Sequence, residues 1–103
     1  MNIFKRFCAT LRLYEAVRLA NKAHRKTGER YYVIPNGRGG KLIITDRKNF
    51  RKLKQKHYIH HKVFVRDLTV ECFYCTPYRN GSGALSKKAI DLKRRQYIKW
   101  CAS

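Results

Sequence analysis

Two histidines and two cysteines, His57, His61, Cys72 and Cys75, have the residue types of a tetrahedral structural zinc site. The histidines stand at i and i+4 and the cysteines at i and i+3, so each pair can reach one ion. Bulky Phe73 and Tyr74 sit between the cysteines, where a zinc knuckle places turn residues. Free cysteine also favours burial, so core thiols are the expectation and zinc is the alternative. A redox CxxC would open a helix after a strand, which this context does not offer. His57, His60 and His61 with Asp67 or Glu71 would need a metal cluster or base pairing that their spacing does not specify. Cys8 and Cys101 have no neighbouring His or Asn pattern of a nucleophile. The expectation is a non-enzymatic protein with no cofactor.

A second kind of chemistry is concentrated between Tyr31 and His57, where two apolar runs flank a glycine-rich loop and a strongly cationic segment follows. The loop Pro35-Asn-Gly-Arg-Gly-Gly40 lacks the G-x-x-x-x-G-K-[ST] of a phosphate-binding P-loop, because Leu42 follows Lys41. It can still present Arg38 to a phosphate or a minor groove, although an arginine on an exposed turn is an equally good account of that residue. Arg47, Lys48, Arg51, Lys52, Lys54 and Lys56 lie on the segment after it, with Asn49 and Gln55 as possible adenine readers. Such a helix can track a phosphate backbone or enter a major groove. Lys41 beside the loop and Arg94 and Arg95 near the C-terminus complete the expected phosphate contacts.

The whole composition agrees. Lys and Arg number 25 against six acids, for a formal net charge of +19 over 103 residues. From Arg30 through Arg66 the only acid is Asp46. Surfaces that only solubilise mix the two signs, and self-repulsion of this size is offset by an anionic partner. Tyr31, Tyr32, Tyr58, Tyr74, Tyr78 and Tyr97 are either stacking platforms for unpaired bases or parts of a small core. No apolar run approaches the roughly 18 residues of a membrane span, and charges from Lys5 to Arg18 interrupt any signal-peptide core. A cytoplasmic protein with no membrane partner is expected. A mitochondrial presequence is disfavoured because its pattern would run straight into the first helix.

These residues need elements to position them. From Asn2 to about Lys26, Ile3, Phe7, Leu11, Tyr14 and Val17 recur at helical spacing, with Phe4, Cys8, Ala20 and Ala23 widening the stripe. The spacing predicts a long amphipathic helix whose stripe is a core face, capped near Gly28. A membrane-surface helix is the second reading of this segment. Arg30–Ile34 and Lys41–Thr45 read as strands of a hairpin with a mobile tip, Gly37, Gly39 and Gly40 permitting positive φ. Asp46 caps a helix over 47–56 in which Phe50, Leu53 and His57 dock. Tyr58 to Lys62 reads as a turn. Residues 63–75 fit either helix or strand; Leu68 to Cys72 and the Asp67/Glu71 spacing favour helix, ended by Pro77. Arg79–Gly83 is a loop. Ser86 caps a last helix from 87 to about 101, with Ile90, Tyr97, Ile98 and Cys101 inward and Lys87, Lys88, Lys93, Arg94, Arg95 and Lys99 outward. The sum is one α+β domain over residues 1–103: a long N-terminal amphipathic helix, one β-hairpin and two to three further helices.

At Glu29-Arg-Tyr-Tyr-Val33 and at Cys72-Phe-Tyr-Cys-Thr-Pro-Tyr-Arg-Asn-Gly81 the chain resembles small uncharacterised proteins of gut bacteria and their mobile elements or phages. That resemblance implies no activity, and no functional residue is carried over from it. The function expected from the residues is binding of DNA or RNA through phosphates. Six to ten contacts would lower affinity by roughly 10³ to 10⁵ between 50 and 200 mM salt. An interaction or accessory module for an acidic protein is the alternative, and a zinc-stabilised small binding domain is a second one.

Overall fold

The computed structural model describes residues 2–36, 40–55 and 68–102, with side chains of the second segment through 53. Its longest element is the helix α1, Ile3–Thr27. The Asn2 side chain accepts from the Lys5 N–H at 2.8 Å and starts the helix. Gly28, at φ 78°, ends it by donating its N–H to the His24 carbonyl.

The buried face of α1 is Ala9, Leu13, Ala16 and Ala20. This overturns the expected core face: Ile3, Phe4, Phe7, Leu11 and Tyr14 are all exposed, and only Val17 of the main stripe packs against the core. The helix has apolar residues on two opposite sides, and the side with small residues docks. Alanines let the helix axis approach a sheet and a second helix closely, which bulky rings on that side would prevent.

Strands β1 (Tyr32–Pro35) and β2 (Leu42–Thr45) form the hairpin, in antiparallel register with Tyr32 opposite Thr45 and Ile34 opposite Ile43. The hairpin tip, including Gly37, Arg38 and Gly39, lies outside the described residues. Gly40 has φ 80°, as a loop glycine should. Helix α2, Arg47–Gln55, follows at once, with the Asp46 carboxylate accepting from the Asn49 N–H at 2.7 Å.

Residues 68–75 correct the helical expectation. Only Leu68–Glu71 is helical (α3); Tyr74–Cys75 is a strand, β3, pairing antiparallel with β1. The sheet therefore has three strands in the order β2-β1-β3. The second edge of β1 is what draws this segment out of the helix. Phe73 N–H donates to the Val33 carbonyl at 2.8 Å, and Thr76 N–H to the Tyr31 carbonyl at 2.9 Å. Buried backbone groups need such partners, and local helical propensity gives way to them. Residues 63–67 and the expected turn at 58–62 lie outside the described residues.

Helix α4, Lys87–Ala102, opens on Ser86, whose Oγ accepts from the Ala89 N–H. Tyr97 is its buried residue and stacks edge-on to Phe73 at 5.0 Å between centroids. Ile90, expected inward, is exposed. Lys93, expected outward, instead donates its ammonium to the carbonyls of Cys72 (2.8 Å), Thr69 (3.1 Å) and Val70 (3.4 Å). A cation at the carboxyl end of α3 satisfies carbonyls that the helix leaves unpaired.

Two cores result, one on each face of the sheet. Ala9, Leu13, Ala16, Ala20, Val33 and Tyr97 join α1 and α4 on one face. Tyr32, Ile34, Phe50, Leu68, Cys72 and Cys75 join α2 and α3 on the other. Successive residues of a strand point to opposite faces, so the central strand β1 is buried on both, which is why it is a continuous apolar run. No helix among the described residues is long and apolar enough to cross a membrane.

Candidate nucleic-acid interface

Phe50, 1% exposed, pins α2 to the sheet, and Leu53 is half-buried beside it. At about 100° per residue, Arg47, Arg51, Lys48 and Lys52 then fall within an arc of about 140° on the opposite side. All four are exposed. Asp46, the nearest acid in sequence, is engaged as the helix cap. The result is a row of cations on a helix whose orientation is set by one buried ring.

The amino end of this row borders an open cleft of about 630 Å³, lined by Gly28, Glu29, Arg30, Arg47, Tyr78, Arg79, Asn80 and Ser82. Arg30 is the organiser. Its Nε donates to the Thr76 carbonyl (2.9 Å), and its Nη2 donates to the Gly83 carbonyl (2.9 Å) and to the Cys75 sulfur (3.2 Å). Its guanidinium also lies 4.3 Å from the Tyr78 ring centroid, a cation–π contact that holds the exposed ring in place. Arg47 Nη2 donates to the Tyr78 hydroxyl at 3.4 Å. Arg79 donates to the Thr27 carbonyl at 3.1 Å and pairs with Glu29 at 3.5 Å, both of these ions being largely exposed. Arg30, Arg47 and Arg79 thus surround a cleft containing one carboxylate, a setting suited to an anionic oxygen group and an aromatic or sugar face.

The expected contacts are not all brought together. Arg47, Lys48, Arg51 and Lys52 form one surface. Arg94 and Arg95 are exposed on α4, which packs with α1 on the other face of the sheet, and Arg94 faces Asp91 at 3.6 Å. Lys41 is exposed beside β2 and lines a groove against α1. Arg38, Lys56 and the side chain of Lys54 lie outside the described residues, as do Gln55's side chain and Tyr58. Asn49 is exposed on α2. Of the remaining tyrosines, Tyr32 and Tyr97 are core. Tyr31 and Tyr74 are half-buried, with hydroxyls bonded to Thr27 and Asn21. Tyr78 is exposed, as is Tyr14 on α1.

Cys72 and Cys75 are both buried, and the Cys72 thiol donates to the Thr69 carbonyl at 3.5 Å. The neighbouring Cys72 and the Arg30 guanidinium hold the Cys75 thiol below its usual range, against the opposing effect of burial. The neighbouring Cys75 and burial push Cys72 up. His57 and His61, the other members of the zinc set, lie outside the described residues. Among the described residues no three His, Cys, Asp or Glu side chains come together as a metal site. Of the residues weighed for a nuclease, Glu71 is exposed on α3, whereas His60 and Asp67 lie outside the described residues.

Sequence reasoning missed Arg30 and Arg79 as parts of a site and had Tyr78 only as one of six tyrosines that were either stacking platforms or core. The Arg79–Gly83 loop was legible as a loop, but its closure over Arg30 joins residues about fifty positions apart. No family model matches this chain, and neither a curated protein nor a solved structure is significantly similar to it.

Proposed function

We propose that this is a non-enzymatic nucleic-acid-binding protein that holds phosphates on the outer arc of α2 and in the adjoining arginine cleft. The observation that carries the reading is the row Arg47, Lys48, Arg51 and Lys52, exposed together on a helix fixed by Phe50. Arg79 extends it across the cleft, and Tyr78 offers a face for a base or sugar. Lys54 and Lys56 lengthen the same run in sequence, and Arg38 belongs to the glycine-rich loop sequence that precedes β2. Lys41 beside β2 and Arg94 and Arg95 on α4 stand apart from this row, on the α1 side of the sheet. Binding proceeds by release of counterions from the phosphates, with little dependence on base sequence.

The test is a salt series of binding to short duplex DNA, single-stranded DNA and structured RNA, read by fluorescence polarisation. Micromolar or tighter binding near 150 mM salt, with one ligand class preferred, is the expected result. Equal and weak binding to all three that vanishes by that salt would reduce the charge to adhesion and favour an acidic protein partner.

A further inference from the structure

The first turns of α1 carry apolar side chains that nothing among the described residues covers. Residues 2–7 are exposed on every side, and burial begins at Ala9. Ile3 is 89% exposed, Phe4 72%, Phe7 60%, Leu11 50% and Tyr14 68%. At about 100° per residue these five share an arc of about 100°, on the far side from Ala9, Leu13, Ala16 and Ala20. The three rings alone leave on the order of 400 Å² in water, the size at which an apolar patch marks an interaction surface.

Charge selects the occupant. Residues 2–14 contain no acid; Lys5 and Arg6 are exposed beside the stripe, while Arg12 is turned inward to the Tyr97 hydroxyl at 3.2 Å. Farther along the same outer arc come Arg18, Lys22 and Arg25, of which Arg18 is paired with Glu15. A second copy would bring these cations face to face on chains already at +19, whereas an anionic surface neutralises them. Shape selects between anionic surfaces. The stripe is a ridge on the outside of the domain, which a fluid bilayer accommodates and a protein must match with a ready-made groove. Ile3 to Tyr14 extends about 16 Å, too short to span a bilayer and suited to lying in its interface.

We propose that the Ile3–Tyr14 face of α1 docks on an anionic lipid surface. Phe4, Phe7 and Leu11 enter the acyl boundary, Tyr14 sits at headgroup level, and the lysine and arginine stems reach back to lipid phosphates. The α2 arc is on the opposite face of the sheet and stays turned away from the bilayer, so this docking is independent of nucleic-acid binding.

The experiment is vesicle flotation of the whole chain at about 150 mM salt. It compares phosphatidylcholine vesicles with vesicles containing about one-third phosphatidylglycerol. The protein is expected to float with the anionic vesicles only. Phe4→Ser with Phe7→Ser should reduce that binding about tenfold or more, with unchanged circular dichroism because both rings are exposed. Arg51→Glu with Lys52→Glu should keep most of it. Flotation that the phenylalanine variant leaves intact would show charge adhesion and overturn the proposal. So would the absence of flotation, or sedimentation of the wild type as a dimer that this variant converts to monomer.

Discussion

Reversing two charges on α2, by Arg51→Glu with Lys52→Glu, probes the proposed nucleic-acid interface most directly. Both residues are exposed on the side of the helix opposite Phe50, so the change leaves the docked face untouched. Arg47, Lys48, Arg51, Lys52 and Arg79 are five exposed cations of this surface among the described residues. Each phosphate contact contributes about −0.9 to the slope of log affinity against log salt, so the wild-type slope is about −4.5 on duplex DNA. A fourfold rise from 50 to 200 mM salt then lowers affinity roughly 500-fold, below the sequence-based expectation of about 10³ to 10⁵ because fewer cations share this surface. Losing two contacts moves the slope to about −2.7. If the two lines converge near 1 M salt, the variant binds about 200-fold more weakly at 50 mM and about 20-fold more weakly at 200 mM. Polarisation titrations at four salt concentrations read both numbers, with circular dichroism checking the fold. Arg94→Glu with Arg95→Glu makes the same change in net charge on the other face of the sheet. An α2 variant with wild-type slope, or an α4 variant whose slope falls as far, refutes the assignment.

Three further outcomes concern the scaffold. Lys93→Met removes the ammonium that three carbonyls accept from and should cost about 1.5–3 kcal/mol in urea unfolding. Gly40→Ala imposes a side chain at φ +80° and puts a Cβ 2.7 Å from Arg12 Nη2 and 3.1 Å from Cys101 Sγ. It should cost about 1–3 kcal/mol, seen as a lower Tm. Cys75 is depressed to about 6, so between there and the ordinary thiol range the unfolded chain binds more protons than the folded one. Its contribution to stability is therefore fully present above the ordinary thiol range and is lost as pH falls through about 6. Urea midpoints measured in reducing buffer from pH 6 to 9 should show this rise with pH in the wild type and lose it in Cys75→Ala.

Much of the scaffold was legible because its signals are local. The extent of α1, its glycine stop, the hairpin, the Asp46 and Ser86 caps and the opposition of Phe50 to the α2 cations each depend on residues a few positions apart. The candidate site was legible by half for the same reason: the α2 row follows from spacing on one helix. Arg30, Tyr78 and Arg79 meet only because β3 pairs with β1 and draws the following loop over the end of α1.

The sequence by itself determined the order of α1, the hairpin, α2 and α4, the α+β class and the excess of positive charge, since turn chemistry, capping and net charge need no knowledge of distant partners. Only the tertiary structure decided which face of α1 is inside. Hydropathy ranks Phe and Ile above Ala, but close packing against a sheet and a second helix admits the small residues and turns the rings outward. Only the tertiary structure, likewise, made residues 74–75 a strand, tied Lys93 to the end of α3 and divided the cations between two faces. Each of these was settled by hydrogen-bond and packing demands of elements far away in the chain.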